Sequence, residues 1–100
     1  MESLGEYIKK LRTDANMTLT KLAVALDIDQ STLSKIENRK RDIPEDVLPK
    51  LAQIFNLDLN ILEFEYFSEI IAKLICHYDN HNAVLKLTEQ KVEYMKKRYE

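Results

Sequence analysis

Thr18-Leu19-Thr20-Lys21-Leu22-Ala23-Val24-Ala25-Leu26, then Asp27-Ile28-Asp29, then Gln30-Ser31-Thr32-Leu33-Ser34-Lys35-Ile36-Glu37-Asn38, is the stretch on which the fold turns. Thr18 is a good N-cap, and Leu19, Leu22, Ala23 and Leu26 recur at helical spacing behind it. That helix is short, because Asp27-Ile28-Asp29 follows at once. Asp27 tolerates a left-handed backbone better than most non-glycine residues, and Asp29 is a strong N-cap for the next helix. The third helix is predicted from Gln30 to about Asn38. Only Leu33 and Ile36 are strongly apolar on it, so one narrow stripe is buried. Gln30, Ser31, Thr32, Ser34 and Lys35 then face outward, a surface rich in donors and acceptors with no bulky apolar group.

The flanks extend the pattern. Leu4, Ile8, Leu11 and Ala15 recur at spacings of four, three and four, which predicts an amphipathic first helix over Ser3 to Asn16. Ser3 caps it, with Glu6 three residues later completing a capping box. Downstream, Arg39-Lys40-Arg41-Asp42-Ile43-Pro44 reads as a loop. Asp46 is the expected cap of a fourth helix whose first turn holds Pro49, where a missing N–H costs little. Leu48, Leu51, Ala52 and Phe55 give that helix its core face. Asn56 and Asp58 make the next connection, and Asp58 caps a fifth helix through Leu59 and Leu62.

Composition narrows the function classes. A chain of 100 residues with 45% apolar and 32% charged residues is expected to form one compact domain, or one domain with a helical appendage. One glycine and two prolines favour helices joined by short polar connections. No apolar run approaches the ~20 residues of a membrane span, and the residues after Met1 do not read as a signal peptide. A single cysteine, Cys76, forms no internal disulfide, so a reducing, cytoplasmic compartment is expected. The net charge of −2 gives no global pull toward nucleic acid, so any DNA-binding charge must be local. Lys35 to Arg41 supplies it, with four basic residues against Glu37. Cys76, His77, Asp79 and His81 lack metal-ligand spacing, and no catalytic motif, cofactor signature or small-molecule pocket signature is present, so neither an enzyme nor a cofactor is expected.

The remaining segment, Glu63 to Glu100, carries two apolar stripes. Phe64, Phe67, Ile71, Leu74 and Tyr78 recur at three, four, three and four, and Asp79-Asn80-His81-Asn82 is the expected break. Leu85, Thr88, Val92, Met95 and Tyr99 repeat the spacing on a last helix. The stripes either form an antiparallel hairpin, pack on their own domain, or pack on a second subunit. The chain is therefore divided here into residues 1–62 and a helical extension, 63–100, whose Phe64, Phe67, Ile71, Leu74, Leu85, Val92 and Met95 are candidate dimerisation residues.

Leu22-Ala23, the turn at Asp27-Ile28-Asp29, and Ser31 to Asn38 resemble the helix-turn-helix of the lambda-repressor and Cro-like regulators, the XRE family. Ile8, Leu11, Arg12, Leu51-Ala52 and Leu57-Asp58 agree, so the resemblance runs from about Leu4 to Leu62. It implies an all-α, five-helix DNA-binding domain, here with a two-helix extension, that regulates transcription by binding double-stranded DNA as a homodimer. In such a domain the second helix of the motif enters the major groove. The expected base readers are Gln30, Ser31, Ser34 and Lys35. The expected backbone contacts are Thr18, Thr32, Asn38, Lys40 and Arg41. Arg12 is expected to pair with Glu37 as a structural ion pair.

Three positions depart from the family pattern: Leu19 replaces a customary Gln, and Asp27 and Arg39 replace customary glycines. A sequence-specific repressor, bacterial or phage-encoded and nucleoid-associated, is the leading reading. A DNA-binding antitoxin, a restriction–modification controller, or a protein-interaction module reusing the fold are the alternatives.

Overall fold

The computed structural model describes residues 1–99, so the last residue of the predicted extension, Glu100, lies outside it. Every regular element among the described residues is helical. They are α1 (Leu4–Asp14), α2 (Leu19–Leu26), α3 (Gln30–Glu37), a 3₁₀ turn (Glu45–Val47), α4 (Leu48–Phe55), α5 (Leu59–Ile75) and α6 (His81–Tyr99).

The starts of the helices follow local chemistry. In α1 the Ser3 hydroxyl accepts the Glu6 N–H at 3.1 Å, and the Glu6 carboxylate accepts the Ser3 N–H at 3.2 Å. The Leu4 N–H, otherwise an unsatisfied first-turn donor, goes to the Glu69 carboxylate of α5 at 2.9 Å. Thr18 accepts the Lys21 N–H at 3.1 Å, and Asp58 accepts the Asn60 N–H at 2.9 Å. Two expected caps differ. Asp29 occupies the N-cap position of α3 in an extended conformation, but its side chain makes no capping bond. Asp46 does not cap α4. It lies within the 3₁₀ turn, which delivers the chain to Leu48 already coiled, with Pro49 in the first turn of α4.

The ends of α1 to α4 share one device. A single residue turns left-handed, and the N–H of the next residue bonds a carbonyl five residues back. The turning residues are Asn16 (φ 56°), Asp27 (57°), Arg39 (63°) and Asn56 (52°). The closing bonds run from Met17 to Arg12 (3.0 Å), Ile28 to Ala23 (3.0 Å), Lys40 to Lys35 (2.8 Å) and Leu57 to Ala52 (2.9 Å). This is the Schellman closure, usually built on glycine because a Cβ is strained there. The chain's one glycine is elsewhere, inside α1, so three Asx residues and one arginine take that conformation. Asn16 also explains why α1 stops at Asp14 rather than continuing to Asn16.

The chain divides into two compact units, Met1–Glu69 and Ile70 onward. In the first unit α1 packs on α3, α2 on α3 and on α4. Its core is Leu4, Ile8, Leu22, Ala23, Leu26, Leu33, Ile36, Ile43, Val47, Leu48, Leu51 and Leu62. Fully burying each of the large ones contributes ~1.5–3 kcal/mol relative to exposure. Gly5 permits the α1–α3 contact. A Cβ built there would collide with the backbone carbonyl of Ile36.

The fifth helix and the following apolar-faced helix, expected as two, are one. α5 runs unbroken through Glu63 and ends at Ile75, so Tyr78 lies beyond it, and the connection to α6 is Cys76–Asn80. At 100° per residue, Leu59, Leu62 and Tyr66 lie on one face of α5, while Phe64, Phe67, Ile71 and Leu74 lie on a face roughly 120° away. The first face packs on the core of the first unit, with Leu62 3% exposed. The second is exposed, as are all the apolar side chains of α6. No described helix is long and apolar enough to cross a membrane.

Candidate nucleic-acid interface

Helix α3 presents two faces set by its sequence. Leu33, Ile36 and Glu37 point inward and are buried. Gln30, Ser31 and Lys35 are exposed, and Thr32 and Ser34 are half-buried between the two faces. The first turn of α2 borders the same surface, and its start and that of α3 are joined directly: the Thr20 hydroxyl donates to the Gln30 amide oxygen at 2.6 Å. That bond fixes the Gln30 carboxamide and leaves its NH₂ and one oxygen lone pair for a ligand. Sequence spacing gave no notice of Thr20. The only available sign was a second hydroxyl two residues after the Thr18 cap.

The expected backbone-contact residues are placed differently from one another. Thr18 accepts from its own helix but keeps its O–H as a donor. Asn38 donates its amide to the Ser34 carbonyl at 2.9 Å and lies 3.4 Å from the Ser34 hydroxyl, so its nitrogen is committed to closing α3. Lys40 and Arg41 are exposed just past that end. Arg39, in the left-handed position, is exposed as well, with its guanidinium 3.7 Å from Glu6. Glu6 itself is held below the usual carboxylate range, first by the Ser3 backbone N–H, then by the Ser3 hydroxyl.

Behind this surface lies a buried fork. Arg12 Nε donates to Glu37 Oε2 at 2.8 Å, one guanidinium NH₂ to Oε1 at 3.0 Å, and the other to the Met17 carbonyl at 2.9 Å. The side chains are 14% and 3% exposed, respectively. The hydrogen bonds to Glu37 push the Arg12 guanidinium pKa up, so the arginine stays charged. One arginine thus ties together the end of α1, the end of α3 and the chain entering α2. Gly5 joins two of these by close approach, seating α1 on the last turn of α3. These two contacts fix the direction in which the polar face of α3 points. The signal for Gly5 was its placement: the lone glycine of the chain sits in a helix, where alanine is the better former.

A family profile described as "Helix-turn-helix" matches residues 8–62, more than half of the chain. The chain belongs to the XRE helix-turn-helix family.

Members of this family are transcriptional regulators that bind double-stranded DNA. Among relatives, the "HTH-type transcriptional repressor RghR" of Bacillus subtilis is 32% identical over 73 residues, 70% of this chain and 54% of RghR. The "ImmF control region 10 kDa protein" of Bacillus phage phi105 is 36% identical over 62 residues, 62% of this chain and 69% of that protein. The XRE chain thus spans about half the length of RghR.

Two solved structures share the fold. The clp gene regulator ClgR of Corynebacterium glutamicum gives a TM-score of 0.54 at 20% identity, covering 85% of this chain and 88% of its own. The SinR protein/SinI protein complex gives 0.52 at 21% identity, covering 92% and 98%.

Proposed function

We propose that the protein is a sequence-specific repressor that binds a pseudo-palindromic operator as a homodimer. The observation that carries this reading is the α3 surface itself. Gln30, Ser31 and Lys35 stand exposed on a short helix free of bulky apolar side chains, and the fork and the glycine contact behind it set its direction.

A major groove accepts one such helix. Gln30 offers the donor and acceptor that adenine pairs with, and Lys35 reaches guanine O6 and N7. Ser31 and Ser34 make shorter contacts along the same edge. Thr18, Thr32, Lys40 and Arg41 line the flanks as phosphate contacts, and the amide groups at the start of α2 add to them. RghR, its relative, is named a transcriptional repressor.

The dimer is supported by the exposed second face of α5 and by α6. Phe64 is 69%, Leu74 71% and Met95 52% exposed in the single chain. Burying a Leu, Phe or Ile contributes ~1.5–3 kcal/mol, so these faces together exceed a typical domain's margin. A two-fold dimer would set two α3 helices about one DNA turn apart, ~34 Å. A cytoplasmic location follows from a DNA partner.

The test is selection from random duplex DNA followed by binding measurements. A specific site should bind with Kd of about 10⁻⁸ to 10⁻¹¹ M and weaken steeply with salt. Gln30→Ala or Lys35→Ala should relax one base position per half-site and cost about 1–3 kcal/mol, while Lys40→Ala should weaken all sequences alike. No enriched sequence, or an unaltered preference in both α3 variants, overturns the reading.

A further inference from the structure

On the first unit, a groove of about 460 Å³ lies between the start of α1 and the start of α5. Its floor is apolar, formed by Leu4, Tyr7, Leu57 and Ile61. Its titratable side chains besides Tyr7 are all carboxylates: Glu2, Asp58 and Glu65. Within that lining Ile61 is 58% exposed.

Charge is split between the two units in the same sense. Residues 1–69 hold nine Lys and Arg against thirteen Asp and Glu, a net of −4, although the α3 surface is locally basic. Residues 70–100 hold six against four, a net of +2. The positive charge is gathered at the end of α6, where Lys96, Lys97 and Arg98 occupy its last turn. Val92, Met95 and Tyr99 recur there at three and four, all exposed. That is the pattern of an amphipathic helix suited to an apolar groove with an acidic rim.

We propose that the last turns of α6 of one copy dock in the α1–α5 groove of a second copy, reciprocally. Met95 and Tyr99 enter the apolar floor, and Lys96 and Arg98, which flank that face on either side at 100° per residue, meet Glu2 and Glu65. This rests on the homodimer reading and adds one contact to it, distinct from the exposed second face of α5. Both grooves and both tails are used once each, so the arrangement closes at two copies. The contact lies on α1 and α5, leaving α3 free for DNA.

The experiment uses the full chain and two charge reversals. Variant one carries Glu2→Lys and Glu65→Lys; variant two carries Lys96→Glu and Arg98→Glu. None of these residues belongs to the core or to the α3 surface. In each variant alone, both contacts face like charges, and the dimer Kd read by sedimentation should rise about tenfold or more. Mixed one to one, the variants should form a heterodimer, because each groove then meets a tail of opposite sign. Circular dichroism melts confirm that each variant is folded.

Variants that dimerise like the parent, or a mixture that stays monomeric, overturn the inference. The latter is also what docking of the tail within its own chain would give. A parent chain that is monomeric up to millimolar concentration overturns the homodimer reading itself, and a dimeric parent with indifferent variants removes only the groove contact.

Discussion

Replacing Arg12 by methionine keeps most of its volume and removes its charge and donors. Glu37 would then remain 3% exposed without the two donors it now accepts from, at 2.8 and 3.0 Å, and the Met17 carbonyl would lose its partner at 2.9 Å. Taking one member from a buried pair costs about 3–5 kcal/mol, because the other charge is stranded, whereas the intact pair contributes little against two well-packed apolar residues. Arg12→Met should therefore lower the melting temperature by about 12 °C or more, at 4–8 °C per kcal/mol for a unit of this size. Arg12→Met combined with Glu37→Leu should recover most of that loss, since no charge is then stranded. The assay is urea denaturation of the parent, both single variants and the double variant, analysed as a cycle. If Arg12→Met costs less than about 1 kcal/mol, the value for an exposed pair, the fork does not brace the unit and the argument from burial fails.

Gly5→Ala should destabilise by ~3 kcal/mol or more, at or beyond the usual range for overpacking, because the clash is with the Ile36 backbone carbonyl; thermal melts showing a loss under 1 kcal/mol would mean α1 does not sit that closely. Arg39→Gly should be more stable than Arg39→Ala by about 1 kcal/mol, since both lose the exposed Glu6 contact and only alanine keeps a Cβ at φ 63°; equal denaturation midpoints would refute a left-handed Arg39. Burial, and then the carboxylates of Glu45, Asp42 and Asp46, push the Tyr66 phenol above its ordinary value of 10.0. A raised pKa in the folded state means the contribution is whole below pH 10 and is lost as pH rises through the folded value. The parent should therefore lose more stability than Tyr66→Phe between pH 9 and 11, and parallel curves would count against the shift.

The first unit was legible because its signals are local. Capping at Ser3, Thr18 and Asp58, and the 3–4 spacing of the core residues, each operate within a turn or two. The misreadings arise where a neighbouring choice intervenes. Asp46 has the chemistry of a cap, but the chain coils one turn early and takes it into a 3₁₀ turn. Leu62 and Phe64 looked like the end of one helix and the start of another, because a change of apolar face along α5 has the same signature in spacing as a break. Of the α3 surface, the exposure of Gln30, Ser31 and Lys35 followed from periodicity alone, whereas Thr32 and Ser34, also expected outward, are half-buried. The Thr20–Gln30 bond and the seat of Gly5 on Ile36 did not follow from periodicity, since each joins segments whose approach is set by tertiary packing. Only the Arg12–Glu37 fork crossed that gap, and it did so through family likeness rather than through spacing.

α5 is a single rod of 17 residues, about 25 Å long, with one side in the core of the first unit and another in water. Helix formation is cooperative along such a rod, so covering its wet side also raises the cost of fraying the side that completes the core. Association through that side would couple oligomerisation to folding by mass action, and the melting temperature would climb with protein concentration. A cell that made little of this protein would then hold it in a looser form, open to proteases. A cell that made more would hold a longer-lived one, so abundance would govern survival as well as occupancy of DNA.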